Sequence, residues 1–205
     1  MERRDILKLI TAATGVAMVG ADAFAWDKVP EATSAKEAGF TAEDISLLNE
    51  IGETIIPATD SPGAKAANVG ATMVGLVADC YTPPEQAEFR QGLKAIDVES
   101  KAAFGKPFLL LSATQRHELL TKLDTTAKEQ DNKVGLGWAV HQRPSHRSIE
   151  DKGPVPHYFT LMKQLTLFSF FTSEVGATKA LRYVSIPGRY DGDMPYQKGD
   201  RAWAT

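Results

Sequence analysis

The segment FTLMKQLTLFSFF, residues 159–171, constrains the fold more than any other part of the sequence. Read as a helix, it places Phe159, Leu161, Met162, Leu165, Leu167, Phe168, Phe170 and Phe171 around the whole circumference rather than along one stripe. A helix that is apolar all round has to be covered, inside its own bundle or under a partner. Lys163 and Gln164 interrupt the run, and it falls short of the roughly 20 apolar residues a membrane span needs. The chain must therefore either wrap this helix with other helices or leave part of it for another protein.

The flanking sequence supplies those other helices. Thr41 and Asp44 form a capping pair with Phe40 positioned to staple onto Ile45, and Ile45, Leu48, Ile51, Gly52 and Ile55 follow on one face up to Pro57. PATDSPGA reads as a turn-rich loop. A second helix is expected over Ala66–Tyr81, using Val69, Met73, Leu76, Val77 and Cys80. A third runs from Pro84 to about Phe104. Ser112-Ala113-Thr114-Gln115 is a capping box for a fourth, which ends near Gln130. A loop rich in Gly, Pro and His spans Asp131–Pro156, and the last helix is expected over His157–Tyr183. Strand-like alternation is scarce, so the fold class is all-α, an irregular helical bundle with long loops. Trp26–Gly39 reads as extended polar chain.

The N-terminus carries an address. Arg3 and Arg4 precede Asp5, Ile6, Leu7 and Lys8, an order that resembles the twin-arginine export signal. A mildly apolar run from Leu9 to Gly20 follows, and Ala23-Phe24-Ala25 has the small residues of a cleavage site. The reading is a signal peptide over residues 1–25 and a single domain over residues 26–205, exported to the periplasm. Twin-arginine export carries proteins that are already folded. It therefore implies a cofactor site in this chain or a partner that has one.

Composition narrows the choice. The formal net charge of −3 argues against nucleic acid, whose phosphates call for a basic surface. The single cysteine, Cys80, excludes an intramolecular disulfide, and its apolar neighbourhood predicts a small buried side chain; a bond to another subunit is the alternative. It also leaves no C-x-x-C-H for a c-type haem and no four-cysteine cluster ligation. Gly135-Leu136-Gly137-Trp138-Ala139-Val140 lacks the third glycine of a dinucleotide fingerprint and has no flanking strand or helix pattern. Asp191-Gly192-Asp193 has too few carboxylates for calcium, and no G-x-S-x-G is present. His141, His146 and His157, with Glu150 and Asp151 between, lack the i, i+4 order of a preset metal site. A stand-alone enzyme or binding protein using that histidine loop is the competing reading. No catalytic, cofactor-binding or metal residue is assigned.

Two stretches give the sequence a family likeness. ETIIPATDSPGAKAANV, Glu53–Val69, and LTLFSFFTSEVGATKALRYVSIPGRYDGDMPY, Leu165–Tyr196, resemble the gluconate 2-dehydrogenase subunit 3 family. The matching residues are Ile56-Pro57 leading into Asp60, Pro62, Gly63 and Ala64, then Phe171-Thr172-Ser173-Glu174-Val175-Gly176, then Tyr183, Pro187-Gly188, Tyr190 and Gly192. The resemblance implies a periplasmic complex of three kinds of subunit, associated with the inner membrane. A large FAD subunit of the glucose–methanol–choline class oxidises a sugar, sugar acid or glycoside, and a multihaem cytochrome c carries haem c and passes the electrons on. The small subunit implied for this chain holds no cofactor and accompanies the flavoprotein through the twin-arginine translocase. The candidate partner interface is then Phe168, Phe171, Thr172, Ser173, Glu174, Gly176, Pro187, Gly188 and Tyr190. Within it, Gly176 would permit a close helix crossing or an approach to the partner.

Overall fold

The computed structural model describes residues 39–136, 153–186, 188 and 192–204. The export signal at Arg3, Arg4, Leu7, Lys8, Ala23 and Ala25 lies outside these residues, as do His141, His146, Pro187 and Tyr190. Among the described residues the regular structure is helical: α1 Ala42–Ile55, α2 Val69–Cys80, α3 Pro83–Phe104, α4 Ala113–Lys133 and α5 Tyr158–Phe171. Short 3₁₀ turns at Ala64–Ala67 and Phe108–Leu110 and a π turn at Gly176–Ala180 join or follow them. The only extended pairing described is one parallel bridge between Arg182 and Trp203.

The helix starts are written in the local sequence. Thr41 accepts from the Asp44 amide at 3.1 Å while the Asp44 carboxylate accepts from the Thr41 amide at 2.8 Å. Ser112 and Gln115 repeat the exchange at the head of α4. α3 begins one residue before the expected position, at Pro83, because Thr82 and Glu85 form a third such box and proline is tolerated in the first turn.

Three boundaries depart from the sequence reading. Asn68 sits in the left-handed region at φ 49°, which breaks the expected Ala66–Tyr81 helix into a 3₁₀ turn and α2. α4 runs on through Asp131 to Lys133, since Asp131 has a buried task described below. The last helix stops at Phe171 rather than at Tyr183.

α5 touches α1, α2, α3 and α4, so the helix that is apolar all round is the axis of the bundle. Phe159, Leu161, Met162, Leu165 and Phe170 join Leu48, Ile51, Val69, Met73, Val77, Phe89, Ile96, Phe108 and Leu123 in one core. Cys80 is a correction: it is exposed at the end of α2, because the α2 face that meets the core is Val69, Met73 and Val77, one turn and more earlier. No helix among the described residues is long and apolar enough to cross a membrane.

Candidate partner interface

The first family-like stretch folds around one carboxylate. Glu53, in the last turn of α1, accepts the Ala58 amide on Oε1 and the Lys65 amide on Oε2, both at 2.9 Å. The Ala64 amide returns to the Ile56 carbonyl at 2.9 Å and closes the loop. A Cβ at Gly63 would lie 2.4 Å from both Glu53 oxygens and 2.6 Å from the Ala58 nitrogen, so this position has room only for hydrogen. Next to it, Glu50 receives Lys65 from the loop and Arg116 from α4. Burial pushes the Glu50 carboxyl up, but its Lys65 and Arg116 contacts outweigh this and hold it below the usual carboxylate range. The stretch is therefore a loop braced onto the end of α1, with Ala64 in the core, and beside it the Glu50–Arg116 pair ties α1 to α4.

The second stretch ends the central helix and turns the chain. Thr172 donates its hydroxyl to the Phe168 carbonyl at 2.7 Å, and Ser173 donates to the Phe170 carbonyl at 2.6 Å while accepting the Gly176 amide at 3.0 Å. A Cβ on Gly176 would stand 1.9 Å from the Phe170 carbonyl oxygen. The close approach expected of Gly176 is therefore made to its own preceding helix. Thr172, Ser173 and Gly176 build a turn, and Glu174 is exposed beside it.

The last turns of α5 carry apolar surface that is not covered. Leu167, Phe168 and Phe171 are 40%, 55% and 41% exposed, whereas their neighbours Thr166, Ser169 and Phe170 are buried. Phe171 meets the buried Phe170 ring edge-on at 5.1 Å. The structure thus separates the aromatic residues of α5 into a core set and an outward set. Gly188 is exposed at φ 72°.

The histidines divide differently. His157 caps α5, its Nδ1 accepting the Phe159 amide at 3.1 Å. Burial lowers its pKa, against the opposing pull of Asp131, Glu88 and Glu99. Tyr158 donates to Glu99 at 2.9 Å, and burial together with that bond raises its hydroxyl pKa far above the usual value. Among the described residues no group of His, Cys, Asp and Glu is arranged to hold a metal ion.

Two features escaped the sequence reading. Arg182 stacks on Trp203 at 4.6 Å, joining the tail to the chain just after the π turn. Tyr183, Val184, Ile186, Met194 and Tyr196 are exposed along the segment between them. Their signal was a cluster of large apolar residues in a Pro/Gly-rich segment past a helix stop, which has no periodicity to find.

The model of the family described as gluconate 2-dehydrogenase subunit 3 matches residues 42–188, from the start of α1 past the π turn. No curated protein and no solved structure matches the chain. The match covers most of the sequence, including both the Glu53 brace and the aromatic end of α5, and this chain belongs to the gluconate 2-dehydrogenase subunit 3 family.

Proposed function

We propose that this chain is the non-catalytic small subunit of a periplasmic FAD-dependent dehydrogenase complex, and that it escorts the flavoprotein through twin-arginine export. The substrate is a sugar, sugar acid or glycoside. The FAD lies in a glucose–methanol–choline-type large subunit and haem c in a multihaem cytochrome, with the complex held at the inner membrane. Family membership supports a place in a dehydrogenase assembly, and the signal-like N-terminus supports the export role.

The observation that carries the reading is the outward apolar end of α5. Leu167, Phe168 and Phe171 extend the hydrophobic surface of the bundle's central helix to its exterior. Contiguous apolar surface of this kind marks interaction sites. Covering the exposed half of Phe168 would contribute about 1 kcal/mol, half the value of burying such a side chain entirely.

The test is co-expression with a flavoprotein dehydrogenase and purification through a tag on this chain. Flavin absorbance and dehydrogenase activity should co-purify with it, whereas the chain expressed alone should show neither. Phe168→Asp with Phe171→Asp should release the flavoprotein and leave the helical circular dichroism unchanged. By contrast, Leu48→Asp, at a fully buried position, should unfold the chain. Stoichiometric flavin or haem on the isolated chain would overturn the proposal.

A further inference from the structure

α1 and α3 both pack on the 3₁₀ turn Phe108–Leu110, and the three elements line a cleft of about 450 Å³. The turn is a fixed wall. Asp97 accepts the Phe108 amide at 3.0 Å, and Arg116 donates to the Phe108 and Leu109 carbonyls at 3.3 and 2.8 Å. The Phe108 side chain is fully buried and anchors the turn in the core. Leu110, by contrast, lines the cleft and stays 69% exposed, with Leu47, Leu93, Pro107 and Leu109 supplying the rest of the apolar lining.

The charged lining is one-sided. Glu43, Asp44 and Asp97 contribute carboxylates and Lys94 the single ammonium, an excess of two negative charges. Asp44 spends Oδ2 on the Thr41 amide and hydroxyl, and Asp97 spends Oδ1 on the Phe108 amide, which leaves each its other oxygen. Neither Glu43 nor Lys94 enters an ion pair among the described residues.

We infer that this cleft is a binding site for a small aliphatic diamine, whose two ammonium groups match the excess carboxylates and whose hydrocarbon spacer lies on the leucines.

Size selects a small ligand. The volume falls in the range of small-molecule sites, roughly 300–1,000 Å³. α1 lines the cleft only from Glu43 to Leu47 and α3 only from Leu93 to Asp97, about 6 Å along each axis. A docked helix or strand takes anchors spread over a longer groove. Charge then selects a cation, since phosphates, carboxylates and anionic lipid are all repelled by this lining. A second copy of this chain, joined about a two-fold axis, would set the acidic lining against itself. Leu167, Phe168 and Phe171 take no part in the cleft, so the ligand site and the proposed partner surface are separate and either can fail alone.

The experiment is calorimetric titration of the full-length chain with 1,5-diaminopentane, in parallel with n-pentylamine and 1,5-pentanediol. The diamine should saturate one site per chain with a Kd below about 1 mM. The monoamine should bind several-fold more weakly, and the diol should not bind. Glu43→Gln should weaken diamine binding about two- to fivefold. Lys94→Gln, which removes the opposing ammonium, should tighten it by a similar factor. Leu110→Ser should weaken it about threefold or more through lost apolar contact. All three side chains are exposed, so circular dichroism should stay unchanged. Failure of the diamine to saturate, equal binding of the diol, or weaker binding in both charge variants would overturn the site. So would a self-association of the ligand-free chain, seen by sedimentation velocity, that Leu110→Ser abolishes, because the cleft would then be an interface between copies.

Discussion

The Asp131 carboxylate accepts the backbone amide of His157 at 2.8 Å and the hydroxyl of Thr160 at 2.6 Å, and so joins the last turn of α4 to the first turn of α5. Asp131 is 4% exposed. A carboxylate placed at a helix N-terminus satisfies free amides and opposes the positive end of the dipole. Glu88 from α3 takes the Tyr158 amide at 3.2 Å, so the start of the central helix is held by two neighbouring helices. Asp131→Ala leaves that half-buried amide and hydroxyl without their acceptor and should cost about 1–3 kcal/mol. Asp131→Asn keeps one carbonyl acceptor and should cost less. Urea denaturation midpoints of the two variants check the order.

The cap made by His157 gives stability a pH dependence. Its Nδ1 accepts the Phe159 amide only when the imidazole is neutral, and burial lowers the folded-state pKa. The folded state therefore binds fewer protons than the unfolded one near the ordinary histidine pKa of about 6.5. Stability from this group is present above that value and is lost as pH falls below it, through the folded-state pKa. The carboxylates facing it, Asp131, Glu88 and Glu99, oppose the shift without reversing it. Thermal unfolding between pH 7.5 and 5 should show the loss, and His157→Gln, which keeps an acceptor that does not titrate, should flatten the slope. An unchanged slope in that variant would assign it to another group.

Glu53 and Gly63 should behave as one unit. Glu53→Gln turns one of two acceptors into a donor facing an amide, and Gly63→Ala drives a methyl into the space between that carboxylate and Ala58. Both changes act on the same pair of bonds, so the double variant should lose less than the sum of the singles. A coupling of about 0.5–3 kcal/mol is the range for groups in direct contact. A double-mutant cycle in denaturant measures it, and additive losses would show that the two residues act separately.

Cys80 is exposed, so Cys80→Ser should change stability by no more than about 0.5 kcal/mol, as at ordinary surface sites. The comparison is made by thermal melting with reductant, so that any intermolecular disulfide is absent from both proteins.

Much of the fold could be read from the chain because its signals are local. Thr41–Asp44 and Ser112–Gln115 announce helix starts within four residues, and the all-round apolar pattern of residues 159–171 announces the central helix. Errors arose where a contact made by the residues past the expected boundary decides, whether distant or local. α4 continues to Asp131 because that side chain serves α5 across the bundle, and α5 stops at Phe171 because Ser173 and Gly176 fit a turn onto the Phe170 carbonyl. Cys80 was misplaced for a related reason, since an apolar stretch does not say where its core-facing side ends. In the candidate interface, sequence could nominate Phe168 and Phe171 but could not separate them from the buried Phe170, a distinction set by which sides of α5 its four neighbours cover. The Arg182–Trp203 stack had no local signal at all.

The export proposal is tested at Arg3 and Arg4, which lie outside the described residues. Replacing both with Lys keeps the positive charge and hence any general attraction to an anionic membrane surface. It removes two planar guanidinium groups, whose forked donors an ammonium cannot copy. If these residues address a folded assembly to the twin-arginine translocase, Arg3→Lys with Arg4→Lys should hold this chain in the cytoplasm. The flavoprotein should stay behind with it, although its own sequence is untouched. Dehydrogenase activity would then move from the periplasmic to the cytoplasmic fraction, while the complex purified from that fraction stays active. Combining this pair with Phe168→Asp and Phe171→Asp should add nothing to the export defect and should instead split the retained complex. Normal periplasmic levels of the flavoprotein, with this chain retained inside, would end the escort proposal and leave only the structural role of the subunit.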